Sequence, residues 1–391
     1  MERIGIYGGT FNPPHIGHLH AAACAVEALN LDRLLLVPAA VPPHKPLPAG
    51  SPAGAQRAEL LRLAVRDLDA LEICTLELDR EGPSYTWETV RDIRAQYPAA
   101  ELFLLMGTDM LESFHQWRHP ERILPEVTLA AFGRGGKGEK ARLEKARENL
   151  EAMGARVLLL DTSVVNISST QIRRMLMFRC TGPFLTPQIR DHILAQGLYG
   201  VDRDLRKLSM EELEQVVVSL LDPKRVPHVL GCRDTAAKLA EIWGADVTDA
   251  ARAGLLHDIT KALDGPLQLT LCDEYGTILD DFSRRYPKTL HALTGSLVAR
   301  RIFGENDAVV SAIRSHTTGK ADMNTLEKII YVADYMEPCR DFPGVEKLRH
   351  LAVTDLDAAL KCGLEMTLEH LARQGSEVSP ETREALAWLN R

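Results

Sequence analysis

Long apolar runs are missing from this 391-residue sequence: none reaches the length of a membrane span, and Met1-Glu2-Arg3 leads straight into a strand-like stretch without the architecture of a secretory leader. A cytoplasmic protein with no membrane partner is expected. Positive charge is not in excess either. With 46 Lys and Arg against 54 Asp and Glu the formal charge is -8, which argues against a general nucleic-acid binder but allows a local basic pocket for a small phosphate compound. CxxC pairs and zinc-like cysteine spacings are absent. Cys24, Cys74, Cys180, Cys232, Cys272, Cys339 and Cys362 are dispersed and odd in number, as expected of reduced, mostly structural thiols. What is present, 45% hydrophobic and 26% charged residues, is the composition of a folded globular chain, and the length suits two domains of about 200 residues each.

The opening stretch from Gly5 to His18, GIYGGTFNPPHIGH, holds the strongest pattern. A short apolar strand runs into Gly8-Gly9, read as a turn whose backbone a ligand can approach closely, and His15 and His18 stand three residues apart where the pattern becomes helical. Backbone N–H groups, a helix N-terminus and two imidazoles there could all face phosphate oxygens. A glycine pair alone would mean little. The ordered set from Gly8 through Thr10, Phe11, Asn12 and Pro13 to His15, Gly17 and His18 is far more specific, and it resembles the signature of the adenylyl- and cytidylyltransferase superfamily.

Beyond it, His18–Ala28 reads as a helix and Leu34–Pro38 as a buried parallel strand, so the chain begins β-turn-α-β. Lys45 follows in a proline-dense loop, either as a solvated surface lysine or as a phosphate ligand. Helical spacing over Arg57–Asp67 precedes an expected strand over Leu71–Leu78, and Pro83 opens a helix with Ser84 or Thr86 as its N-cap. Leu102–Met106 is a further strand with Gly107 and Asp109 just past its carboxyl end, where open α/β sheets bind ligands; the same residues would also serve as a tight turn and cap. Trp117 is either plain core or a flat face for a base. Leu129–Phe132, ending near Arg134, and Val157–Leu160 complete the strands, with a charged helix over Lys137–Leu150 between them. Ile167-Ser168-Ser169-Thr170 then precedes a helical run containing Arg173, which suits both an N-cap and a phosphate cradle of hydroxyls, amides and a guanidinium. A helix over Pro187–Gln196 and the segment Leu198-Tyr199-Gly200 close the domain.

Together with PSYT at Pro83–Thr86 and LLMGTDMLESFHQW, these motifs make residues 1–200 similar to the bacterial nicotinate-nucleotide adenylyltransferase family. The resemblance implies a Rossmann-like α/β domain that joins ATP and nicotinate mononucleotide without a covalent intermediate. His15 and His18 would hold the ATP phosphates with Lys45 assisting, alongside Gly8, Gly9, Thr10 and Phe11. Ile167, Ser168, Ser169, Thr170 and Arg173 would close over the triphosphate, with Arg134 nearby. Gly107 and Asp109 would hold the adenosine, and Thr86 and Trp117 the nicotinate ring. Mg²⁺ would be shared among the phosphates, with His18 and Arg173 as the principal electrostatic groups.

Val201–Lys207 is charged and weakly apolar and reads as a linker, leaving 208–391 as a second domain. Helical spacing returns over Met210–Leu221, Val229–Trp243, Val247–Ile259, Leu290–Phe303, Asp307–Ser315, Asn324–Met336 and Val353–Gln374, with no strand series, so this domain is expected to be all-α. His228, His257-Asp258, His291, His316 and Asp334 recur on separate helices, a donor set suited to Fe, Mn or Zn. With RVPH, LLHDITK, HALTG, SHTTG and LEKIIYVAD they resemble HD-domain phosphohydrolases, and more closely the bacterial symmetrical diadenosine-tetraphosphate (Ap4A) hydrolases, over residues 208–380. That resemblance implies a two-metal, di-iron site in which Asp258 bridges, His228, His257 and Asp334 serve one ion and His291 and His316 the other. Ap4A would yield two ADP. Lys261, expected on the helix face of Asp258, would meet an outer phosphate, Arg340 would belong to the loop after the last ligand, and Arg314 and Lys328 are weaker candidates. The expected protein is therefore bifunctional, with small nucleotides as partners, no nucleic acid, and a homo-oligomer left open. Alternatives for the second domain are hydrolysis of another nucleotide or nucleotide sensing that regulates the first.

Overall fold

The computed structural model describes residues 1–43, 46–133, 135, 138–161 and 165–391. The chain divides into two compact units, Met1–Arg203 and Asp204–Arg391. In the first, β1 (Arg3–Gly9), β2 (Arg33–Pro38), β3 (Leu71–Ile73), β4 (Glu101–Gly107), β5 (Val127–Phe132) and β6 (Val157–Leu160) form one sheet in the order β3-β2-β1-β4-β5-β6. Every pairing is parallel. Interspersed are α1 (Ile16–Leu29), α2 (Gly54–Val65), α3 (Thr86–Gln96), α4 (Thr108–Ser113), α5 (Pro120–Ile123), α6 (Glu139–Glu151), α7 (Ser169–Met177) and α8 (Pro187–Ala195). All six residues of β5 are buried, as a central parallel strand covered on both faces requires. Alternate β4 residues enter two cores, Leu102, Leu104 and Met106 one, Phe103 and Leu105 the other. This is the doubly wound, Rossmann-like arrangement. The strand order reverses between β1 and β4, and a crevice at their carboxyl ends follows from that reversal.

The second unit is helical: α9 (Met210–Leu220), α10 (Val226–Trp243), α11 (Val247–Leu256), α12 (Gly265–Glu274), α13 (Asp281–Arg285), α14 (Leu290–Arg301), α15 (Asp307–Ser315), α16 (Thr325–Met336), α17 (Val345–Thr354), α18 (Leu356–Gln374) and α19 (Pro380–Leu389). Small polar residues start several of these helices. Ser209, Asp246, Asn306 and Asn324 each accept an N–H three residues on, and α9 and α16 add the reciprocal glutamate. Such caps explain why helix starts here agree with the helical spacing of the sequence.

Several local expectations are corrected. Gly8 and Gly9 are still strand, paired with Val37 and Pro38; the chain turns after them, with Phe11 at φ 46° and its ring buried. β3 stops at Ile73, because Leu78 and Asp79 donate back to the Thr75 carbonyl and close a turn. Tyr85, not Ser84 or Thr86, occupies the N-cap of α3, since the Ser84 hydroxyl accepts from Ala40 N at 2.9 Å. The run Val353–Gln374 is broken at Asp355, which caps α18.

Helix α11 packs on α10 through Gly254, where an added Cβ would lie 2.9 Å from Arg233 Cα and 3.0 Å from the Cys232 carbonyl oxygen. Backbone cannot yield as a side-chain tip can. Gly254→Ala is expected to lower unfolding free energy by about 1–3 kcal/mol in urea titrations, whereas Gly8→Ala, whose Cβ meets nothing within 4 Å, should change it by only about 0.5 kcal/mol.

Candidate active sites

At the crevice of the first unit lies a cavity of about 560 Å³, lined by Gly8, Gly9, Thr10, His15, His18, Thr86, Gly107, Asp109, Trp117 and Ile167–Thr170 with Arg173. His15 precedes α1 in extended conformation and its ring stacks on His18 with centroids 3.7 Å apart. His18 Nδ1 accepts the His15 backbone N–H at 3.3 Å, which leaves the proton of a neutral ring on Nε2. Gly17 makes this turn possible, because a Cβ would lie 3.0 Å from both the Val165 carbonyl oxygen and Ile167 Cγ2. The Arg173 guanidinium donates to the Asn12 carbonyl at 2.6 Å and to Thr170 Oγ1 at 3.1 Å, and Ser169 Oγ donates to the Pro13 carbonyl at 2.9 Å. The start of α7 is thereby tied to the loop after β1. Burial pushes the Arg173 guanidinium down from its ordinary value.

The structure brings together most of the residues expected here, with three differences. Phe11 does not line the cavity; its ring packs edge-on against Tyr7 and His18, with centroids 5.7 and 5.0 Å away, and supports the His18 imidazole from below. Lys45 and Arg134 lie outside the described residues. Two residues were not anticipated. Arg57, 1% exposed, donates to the carbonyls of Thr10 at 2.6 Å, Ala39 at 2.7 Å and Pro52 at 3.3 Å, and so clasps the ends of β1 and β2. Glu77 lines the cavity and accepts from Thr89 Oγ1 at 2.7 Å. Both sat in stretches read only as an ordinary helix and strand, and a charged residue among apolar neighbours was the one available signal.

In the second unit six expected ligands converge from separate helices. His228 stands in the first turn of α10, His257 and Asp258 just after α11, His291 in the first turn of α14, His316 after α15 and Asp334 near the end of α16. Three imidazoles are held alike: Nδ1 of His257, His291 and His316 donates to the carbonyl three residues earlier, those of Gly254, Lys288 and Ile313, at 2.7, 2.8 and 2.7 Å. Each Nε2 is thus the acceptor nitrogen, and all three face Asp258 at 3.4–3.7 Å. His228 is held by Glu337, whose carboxylate lies 3.0 Å from Nδ1, and its Nε2 is 3.3 Å from both His257 Nε2 and Asp334 Oδ1.

The electrostatics follow from this crowding. Burial disfavours a charged His228, yet Asp258, Asp334 and Glu337 hold it up to about 9. Burial would raise the Asp258 carboxyl, but His257, His228 and His316 in their imidazolium forms would hold it well below the usual carboxylate range. His291 is pushed down to about 3 by burial and by the Lys261 ammonium. Buried imidazole nitrogens with oriented lone pairs, gathered around carboxylates, are the donor set that borderline divalent ions prefer, and the Nδ1 anchors are the outer partners that such ligands need.

Some surrounding assignments change. Lys261 is not on a helix with Asp258; the chain there is a series of turns after α11, and Lys261 Nζ lies 2.8 Å from His291 Nε2 and 4.0 Å from Asp258 Oδ1. Arg340 pairs with Asp334 at 2.6 Å. Arg314 pairs with Glu381 at 2.9 Å and Lys328 with Asp357 at 2.5 Å, so neither points to the cluster. Arg225, unforeseen, is ion-paired with Asp258.

Residues 6–175 match the cytidylyltransferase-like family model and residues 225–339 that of the HD domain. A parallel-sheet nucleotidyltransferase domain fused to a helical HD domain is therefore the class. The protein named "Probable nicotinate-nucleotide adenylyltransferase" in Shouchella clausii is 37% identical over 51% of this chain and 98% of its own length. Its namesake in Thermus thermophilus is 41% identical over 50% of this chain and 99% of its own. Through this first half the chain belongs to the nicotinate-nucleotide adenylyltransferase family. A solved structure of a "predicted HD superfamily hydrolase involved in NAD metabolism" from Clostridium acetobutylicum is 38% identical over 47% of this chain and 97% of that one, with a TM-score of 0.46.

Burial raises the Glu77 carboxyl above its ordinary value, with Thr89 and Ser84 opposing. A raised carboxyl stabilises the fold fully below the unfolded pKa and loses that contribution as pH rises through the folded one. Glu77→Gln is expected to gain on the wild type in urea midpoint between pH 4 and pH 8; an equal difference at both would refute the burial effect.

Proposed function

We propose that the first unit transfers AMP from ATP to nicotinate mononucleotide, giving deamido-NAD and pyrophosphate, and that the second hydrolyses Ap4A to two ADP. The transferase reading rests on the cavity at the strand-order reversal, where His18 Nε2–H and the Arg173 guanidinium share one lining. An oxygen of the mononucleotide phosphate, already anionic, attacks the α-phosphorus of ATP, and the bond to the pyrophosphate oxygen breaks. No enzyme nucleophile is needed, so the residues position and neutralise. His18, accepting at Nδ1, donates from Nε2 to oxygens that gain charge; Arg173, held by Asn12 and Thr170, presents a fixed cation to the same phosphates, which arrive with Mg²⁺. Gly8 leaves open space beside the last strand residue for them. Thr86, at the first turn of α3, and Trp117, packed on Phe114 with centroids 5.0 Å apart, supply the wall assigned to the nicotinate ring.

In the second unit His228, His257, Asp334 and Asp258 would hold one ion and Asp258, His291 and His316 another, iron being the metal proposed. Such ions would supply Lewis-acid charge to a polyphosphate at neutral pH. Asp258 supports this reading most strongly, since its two oxygens face different imidazoles, Oδ2 those of His228 and His257, Oδ1 those of His291 and His316. Lys261 would leave His291 to meet an outer phosphate, and Arg340 would keep Asp334 in place. Net hydrolysis adds water across the central P–O–P bond, with OH to one phosphorus and the proton to the other product.

His18→Ala should lower kcat for deamido-NAD formation at least about 10²-fold with an unchanged melting temperature and unchanged Ap4A turnover. Near-normal kcat in a folded variant would defeat the assignment. For the second activity, the full chain loaded with iron or manganese is expected to convert Ap4A to ADP alone, and Asp258→Asn to lose that turnover together with bound metal. ATP and AMP as products would exclude the symmetrical cut, and no turnover would favour a sensing role.

A further inference from the structure

Glu77 places a carboxyl in the wall of the first unit's cavity without a base bonded to it. It is 6% exposed, and its hydrogen-bond partners are hydroxyls. Thr89 Oγ1 donates to Oε1 at 2.7 Å, and Ser84, whose oxygen accepts from Ala40 N at 2.9 Å, also bonds the carboxyl. Among the described residues the charged and titratable groups around it are Arg80 and Cys74 from the turn after β3 and Glu88 from α3. Arg80 is itself engaged, with Glu88 at 3.2 Å and Asp92 at 2.7 Å.

Thr86 and Thr89 stand three residues apart, neighbours on one face of α3, and both line the cavity. Only the Thr89 hydroxyl therefore separates the Glu77 carboxyl from the wall assigned above to the nicotinate ring. Helix α3 has no side-chain cap, and its first N–H groups, which have no partner within the helix, attract an anionic ring substituent. An ionised Glu77 beside that helix end opposes a second carboxylate; a neutral Glu77 does not.

We propose that Glu77 sets the choice between an acidic and an amide ring: nicotinate mononucleotide binds with Glu77 neutral, whereas ionised Glu77 favours nicotinamide mononucleotide, whose amide brings N–H donors and no charge. The inference rests on the transferase reading above and adds to it the basis of ring selectivity. When Glu77 is ionised in the free protein, binding of the acidic substrate takes one proton from solvent onto its carboxyl. Affinity for that substrate is accordingly highest below the Glu77 titration and falls as pH rises through it. The amide substrate is spared this loss. Titrations of the phosphate and of His15 and His18 are common to both substrates and cancel in their ratio.

The test is kcat/KM of the full chain, with ATP, for nicotinate and for nicotinamide mononucleotide across the pH range in which carboxyls and imidazoles titrate. The nicotinate-to-nicotinamide ratio is expected to fall at least about threefold as pH rises. Glu77→Gln, uncharged at every pH and still able to accept from Thr89, should hold the ratio flat. A residue that only braced the turn would change both substrates alike. Calorimetry of nicotinate mononucleotide binding in two buffers of unequal ionisation enthalpy should show proton uptake beyond that seen with nicotinamide mononucleotide, which decides the point even where the glutamine variant fails to fold. A ratio independent of pH in the unsubstituted chain, or no excess proton, would overturn the role of Glu77 and leave the transferase standing. A chain that makes no deamido-NAD would overturn both.

Discussion

An imidazole has two nitrogens, and whatever satisfies one decides what the other can do. Both candidate sites depend on this constraint. Beside the cavity of the first unit, His18 Nδ1 accepts a backbone N–H, so Nε2 holds the proton and is a donor. In the helical unit, Nδ1 of His257, His291 and His316 donates to backbone carbonyls, so Nε2 offers a lone pair. A donor suits phosphate oxygen; a lone pair suits a metal ion. One side chain thus supports two chemistries, chosen by the backbone group at Nδ1.

Element ends supply those backbone groups. The first four N–H groups and last four C=O groups of a helix have no partner within it, and the histidines stand where such groups occur. His15 and His18 flank the start of α1, while His257 and His316 directly follow α11 and α15. Interior charges are organised around the same loops. Arg57 has no carboxylate partner among the described residues and is satisfied by three carbonyls, which fixes the chain after β1 and β2 where the ligand cavity begins. Gly17 and Gly254 mark places where a side chain would come within about 3 Å of a neighbour, so only glycine lets these segments meet.

Much of this was legible in the sequence. The six strands, the change from strand and helix alternation to helices alone, and the histidines and aspartates of the helical unit follow from hydrophobic period and from residue type at turns. Errors arose where a tertiary contact overrode a local signal. Gly8 and Gly9 seemed a turn because glycine permits one, but pairing to β2 keeps them extended and Phe11 takes the left-handed conformation instead. Lys261 seemed to share a helix face with Asp258, yet the helix ends at Leu256. Arg57, Glu77, Arg225 and Glu337 act through partners distant in sequence, and nothing within a window of the chain names those partners.

Nitrogen-15 NMR of the histidine rings in the full metal-free chain, assigned with single-histidine variants, tests the opposed tautomers most directly. His18 is expected to show its proton on Nε2, and His257, His291 and His316 theirs on Nδ1. A protonated Nδ1 on His18, or protonated Nε2 on the three others, would contradict the division of labour between the two sites.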